Sequence, residues 1–200
     1  MISKSKNILL TLLAAFFMVS CQNSDSDAQS MTSDDPNQVV ITEYSDYQCP
    51  ACAYFHPIVE KLKENMGDQL QVNLRFFPLS SHRYAALAAR AAQAAKNQDK
   101  FYEMHSMIFE NQERWSTSSN PAMEFVNYAR EIGLDMNQFT DDLNAAETQE
   151  TVMAQKEEGE SRGVNSTPTF FIDGEEVDPL PKTYEEFEAL VRQRLEEKQG

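Results

Sequence analysis

A chain of 200 residues with 32 acidic against 17 basic residues carries a net charge of −15, which disfavours nucleic acid and anionic lipid head groups as partners. Its three cysteines and lack of an internal repeat leave one ordinary domain as the frame to fill, long enough to bury its own core.

The first twenty residues set the compartment. Lys4 and Lys6 precede an apolar run from Ile8 to Val19 that is too short and too poorly flanked for a membrane span, so residues 1–20 are an expected export signal. The run ends in Met18-Val19-Ser20-Cys21, which resembles a bacterial lipobox, with Met18 where leucine is usual. That resemblance implies a lipid on Cys21 and a membrane anchor facing the periplasm or the cell exterior. Plain signal cleavage would instead leave Cys21 as an odd exposed thiol. Residues 22–38 are rich in Ser, Asp, Asn and Gln without apolar periodicity, and are expected to form a flexible tether with a reach of roughly 20–25 Å.

The β-branched run Val39 to Tyr44 predicts a buried strand, and Leu70 to Phe77, with Val72, Leu74 and Phe76 alternating against polar neighbours, predicts a second. Between them Cys49-Pro50-Ala51-Cys52 opens a helix. Proline suits the first helical position because its missing N–H has no partner there, which puts Cys49 at the N-cap. A sulfur at that point faces unpaired backbone N–H groups and the positive end of the helix dipole, both of which favour thiolate. Cys52, one turn further in, is the expected resolving thiol. The strand–helix–strand order places Cys49 at the carboxyl end of the first strand, where chemistry in α/β sheets usually sits.

Helices without strands follow from Arg83 to Arg162. An alanine-rich segment (Tyr84 to Lys96) comes first, then Phe101, Met104, His105, Ile108 and Phe109 at helical spacing. Asn120-Pro121 predicts an N-cap and first turn, Gly133 a stop, and Leu134 to Leu143 a further helix. Strand returns at Thr169 to Ile172, turns at Asp173-Gly174 in a type I′ hairpin and pairs back through Glu175 to Val177. Thr183 and Glu186 predict a capping box for a last helix with Phe187, Leu190, Val191 and Leu195 on one face.

The segment Glu43 to Cys52, together with Gly163-Val164-Asn165-Ser166-Thr167-Pro168-Thr169-Phe170 far downstream, resembles the DsbA-like branch of the thioredoxin superfamily across residues 39–197. The resemblance implies an α/β thioredoxin fold with a helical insertion subdomain: a βαβ part over 39–82, the insertion over 83–162, and a hairpin and C-terminal helix over 163–200. It implies thiol-disulfide exchange on exported polypeptides, with Cys49 as the attacked and attacking cysteine and Cys52 as its resolving partner. Pro168 matches the family's cis-proline facing the pair, and Thr167 the residue whose exposed backbone pairs with extended substrate. Glu43 matches an acidic residue beneath the pair that exchanges a proton with Cys52. In the dipeptide Pro50-Ala51, Ala51 stands where the strongest oxidants carry histidine, which implies a milder oxidant with a Cys49 pKa below about 8.5 and above about 3.5. No cofactor is expected. A monomer recycled by a membrane redox partner is.

Three competing readings stay beside this one. The same couple could run as a reductase or isomerase fed from the membrane. Cys49, Cys52 and His56 could hold Cu(I) or Zn²⁺, although structural zinc normally takes four ligands and only three are offered. Glu43 could be a plain ion-pair residue for Lys61 or Lys63. His82 and His105 read as loop and packing residues, Trp115 as packing within the helical part, and most of the nine methionines as core filling.

Overall fold

In the computed structural model of this chain, residues 30–200 are described; the expected export signal and Cys21 lie outside them. Four strands form one mixed sheet in the order β2-β1-β3-β4. Strand β1 (Val39–Ser45) runs parallel to β2 (Leu70–Phe76) and antiparallel to β3 (Thr169–Ile172), which pairs antiparallel with the short β4 (Glu175–Glu176). A strand with neighbours on both sides and helices on both faces is buried along its length, and six of the seven residues of β1 are buried, the polar Thr42 and Glu43 among them. The Asp173-Gly174 turn has positive φ at both positions, 45° and 81°, as a type I′ hairpin requires.

Helix α1 (Pro50–Met66) connects the parallel strands and packs Phe55, Val59, Leu62 and Met66 against the sheet. On the same side lies the C-terminal helix α8 (Tyr184–Gln199), which contributes Phe187, Val191 and Leu195. Thr183 caps α8 by accepting from the Glu186 N–H at 3.2 Å. The reciprocal half of the expected capping box is displaced by one residue, since the Glu186 carboxylate accepts from the N–H of Lys182 rather than that of Thr183.

Between β2 and β3 the chain forms six helices: α2 (Ala85–Lys96), α3 (Phe101–Glu110), α4 (Gln112–Ser116), α5 (Pro121–Glu131), α6 (Met136–Asn144) and α7 (Ala146–Ser161). They enclose a second core, in which the alanines of α2 permit close approach and Trp115, Phe125, Phe139 and Met104 fill the space. Trp115 is fully buried and donates its indole N–H to the Ile108 carbonyl at 2.6 Å. Asn120 caps α5 as expected. Helix α7 returns to the sheet, where a Cβ on Gly159 would lie 2.8 Å from the rings of both Phe77 and Tyr44. Only glycine permits that contact.

The expectation of a free tether up to Gln38 is corrected over its described part. Met31 is buried with Tyr44, Phe77, Val164 and Phe171, the Ser30 carbonyl accepts from Asn73, and Lys198 bridges the carbonyls of Ser33 and Gln38. One apolar side chain and five hydrogen bonds, including Gln38 to the Asp68 carbonyl and Gln199 to Asn37, hold residues 30–38 against the body, in a segment whose polar composition hides its one apolar anchor.

Candidate functional site

Cys49 stands at the N-cap of α1 in extended conformation, with Pro50 following as the first helical residue. Its position is fixed from behind by β1, which ends at Ser45, and by the turn in which the Cys49 N–H donates to the Asp46 carbonyl at 3.0 Å. Both cysteines are present as thiols and both are buried, Cys52 completely. The Thr167–Pro168 bond is cis, and the Cys49 thiol lies 3.3 Å from the Thr167 carbonyl oxygen as donor. Cys49, Cys52, Thr167 and Pro168, two pairs separated by more than a hundred residues, thus converge. The Asp46 N–H approaches the Cys52 sulfur at 3.5 Å.

The two sulfurs titrate in opposite directions. Cys49 is pulled down to about 5, chiefly by the hydrogen bond from the Cys52 thiol, against partial desolvation and with smaller help from Thr167 and the backbone N–H groups of Cys52 and Ala51. Burial pushes Cys52 far up, and the bond it donates to Cys49 adds to this. The expected order of causes is therefore revised. The helix amides contribute, but the partner thiol leads. The value lies inside the window that Ala51 implied.

Glu43, in the middle of β1, is 2% exposed and pushed up to about 7 by desolvation. Neither lysine weighed as its ion-pair partner takes that place: Lys63 binds Glu60 at 2.9 Å and Lys61 sits 3.8 Å over the Tyr184 ring. An uncharged acid next to a buried thiol can lend and recover a proton near neutral pH.

Asp46 is the residue that sequence reasoning missed. Its carboxylate is fully buried and accepts from the Gln48 N–H at 2.7 Å, the Leu79 N–H at 2.8 Å and His82 Nδ1 at 2.8 Å. It ties the turn before Cys49 to the loop after β2. The only signal was an aspartate three residues before the first cysteine, which a surface turn would equally explain. Gln112 of α4 adds a second tie, donating to the carbonyls of Tyr47 and Cys49 at 2.7 and 2.9 Å. Beside Pro50 opens a groove of about 770 Å³ lined by Ala53, Tyr54, Phe109, Gln112 and Arg114, among others. Tyr54 is 53% exposed on its wall.

The metal reading built on Cys49, Cys52 and His56 is corrected. Among the described residues their donor atoms do not gather; His56, four residues beyond Cys52, turns instead toward His105 and Glu60.

A family model described as Thioredoxin matches residues 32–193. A thioredoxin-like oxidoreductase from Silicibacter pomeroyi DSS-3 is 26% identical, with a TM-score of 0.63 over 80% of this chain and 88% of that one. The α-DsbA1 protein of Wolbachia pipientis, 18% identical, shares the fold with a TM-score of 0.70 over 84% and 90% of the two chains. Among curated proteins, the chain is 34% identical over 155 residues to a Na(+)/H(+) antiporter NhaA 1 of Mycobacterium sp. (strain KMS), a match taking in 75% of this chain and 24% of that protein. The chain thus spans about a quarter of the length of that curated relative.

Proposed function

Because this chain belongs to the thioredoxin family, we propose that its thiol-disulfide oxidoreductase chemistry runs in the oxidising direction, introducing disulfides into exported polypeptides through Cys49 and Cys52. The observation that carries this reading is the opposite displacement of the two thiols, Cys49 down to about 5 and Cys52 upward. A thiolate favoured at Cys49 stabilises the reduced form of the couple, and a couple with a stable reduced form oxidises its partners.

In the first step a substrate thiolate attacks Cys49 Sγ of the oxidised pair. The Cys49–Cys52 bond breaks, a mixed disulfide forms, and the electron pair leaves on Cys52, which takes a proton from Glu43 or water. A second substrate thiolate then attacks the substrate sulfur and expels Cys49 as thiolate, so two electrons pass from substrate to the pair. The low pKa of Cys49 makes it the better leaving group. Substrate lies along the Thr167 backbone beside Pro168, and the groove at Tyr54 and Gln112 receives its flanking residues. A membrane redox partner returns the pair to the disulfide, and a lipid on Cys21 keeps the protein beside it.

Equilibration of the couple in glutathione buffers tests the direction. A potential more positive than about −180 mV, on the oxidising side of protein disulfide isomerase, is expected; one near thioredoxin's value of about −270 mV would make the protein a reductase. Cys49→Ser is expected to abolish oxidation of reduced substrate, and wild-type turnover by that variant would remove the mechanism. Incorporation of labelled palmitate, lost in Cys21→Ser, tests the anchor.

A further inference from the structure

Helices α1 and α3 face one another behind the cysteine pair, and three donor residues meet at their contact. His56 and Glu60, four apart on α1, share a face, and His105 of α3 lies opposite. One donor atom from each falls within 4.8 Å of the others. We propose that His56, His105 and Glu60 form a binding site for a divalent first-row cation of the Zn²⁺ type, separate from the cysteines and independent of the direction in which they exchange.

Four features of the molecule support a built site. Both imidazoles are more than nine-tenths buried, with 8% and 4% exposure, and their ring centroids are 4.9 Å apart. Two buried polar rings side by side are an uncommon way to fill an apolar interface. The rings are also held in orientation: Phe109 stacks on His56 at 5.1 Å and Phe101 on His105 at 5.4 Å. His105 Nδ1 is 2.9 Å from the Tyr47 hydroxyl, the kind of outer contact that fixes a ligating imidazole and leaves its other nitrogen for a metal. The His56 imidazole makes ring contacts with His105 and Phe109 and no side-chain hydrogen bond among the described residues, which leaves its nitrogens uncommitted. Lastly, a cavity of about 650 Å³ bounded by Ala53, His56, Pro57, Glu60 and Ser106 opens onto two of the three donors, His56 and Glu60, giving an entry path from their side and room for water in the remaining coordination positions.

Two imidazoles and one carboxylate with an open position are a donor set that zinc accepts. Neighbouring ligands of a tetrahedral zinc ion lie about 3.4 Å apart, so closing from 4.8 Å asks for small side-chain movements. Glu60, the most exposed of the three, is the one free to make them. Its present partner is Lys63, at 2.9 Å. The ion must displace that ammonium group, which predicts moderate affinity and a rise in affinity when Lys63 is removed.

Calorimetric titration of Zn²⁺ into the exported protein, purified without an affinity tag and held in the disulfide form so that neither cysteine can ligate, decides the matter. One equivalent is expected to bind with a Kd in the micromolar range. His56→Asn and Glu60→Gln should each weaken binding at least tenfold, and Lys63→Met should tighten it severalfold. Glu60→Gln and Lys63→Met alter partly exposed side chains, which keeps the test decisive if a histidine variant fails to fold. Absence of one-equivalent binding, or an affinity unchanged by Glu60→Gln, overturns the proposal.

Discussion

Glu43→Gln isolates a buried charge that the fold disfavours. In the native protein the Glu43 carboxyl ionises near pH 7, raised from 4.5 mainly by desolvation, whereas the unfolded chain ionises it at the ordinary value. Between those two pH values the native state holds more protons than the unfolded state, so this group's contribution to stability falls as pH rises. Below 4.5 nothing is lost, and above 7 the loss is complete. A displacement of that size corresponds to about 3 kcal/mol in all, and to roughly 2.5 kcal/mol between pH 5 and pH 8.5. Glutamine keeps the volume and cannot ionise. Urea unfolding of wild type and Glu43→Gln at both pH values, with the protein in its disulfide form so that no thiol titrates, gives the difference directly. The buried histidines, whose pKa values are lowered by burial, titrate in both proteins and cancel. The variant should gain about 2.5 kcal/mol on wild type in going from pH 5 to pH 8.5, equivalent to roughly 5–10 °C in Tm for a chain of this size. A gain below about 0.5 kcal/mol would mean that Glu43 is charged inside the fold, and its role as a proton carrier for Cys52 would fall with it.

Thiolate absorbance near 240 nm should titrate with a midpoint close to pH 5 in the reduced protein and vanish in Cys49→Ser; a midpoint near 8 would refute the stabilisation assigned to Cys49. Since that thiol is lowered from 9.0, its contribution is complete above pH 9 and lost as pH falls through 5, so the stability advantage of reduced over oxidised protein should shrink from pH 7 to pH 5 in paired unfolding curves. Asp46→Ala strips the acceptor from two backbone N–H groups and His82 and should cost roughly 3 kcal/mol, with slower reaction of Cys49 toward alkylating agents at pH 7; unchanged stability would show that water replaces the carboxylate without penalty. Gly159→Ala drives a methyl group into Phe77 and Tyr44 and should lose about 1–3 kcal/mol by thermal unfolding, where a neutral result would mean that α7 shifts freely on the sheet.

Much of this architecture is written within a few residues of where it occurs. Five β-branched or aromatic residues among the six from Val39 to Tyr44 make β1, Cys49-Pro50 makes the start of α1, Asn120-Pro121 that of α5, and Asp173-Gly174 the hairpin. Each rests on backbone stereochemistry that acts over one turn. The same local chemistry places a sulfur at a helix N-terminus, so the redox centre is legible before any fold is known. Where two signals overlap, local reading falters by one residue, as with Glu186, which bonds to Lys182 instead of Thr183.

What the linear chain by itself determined, then, is most of the elements, the separate helices α4 and α7 excepted, and the chemistry carried at their ends. Tertiary structure alone decided which distant side chains meet: Asp46 with Leu79 and His82, Met31 with Phe171, Gly159 with two aromatic rings, and His56 with His105 rather than with the cysteines. The reason is physical. Backbone preferences are set by neighbours in sequence, whereas these contacts depend on the angle and depth at which helices dock on each other and on the sheet, and so on the packing of the whole core.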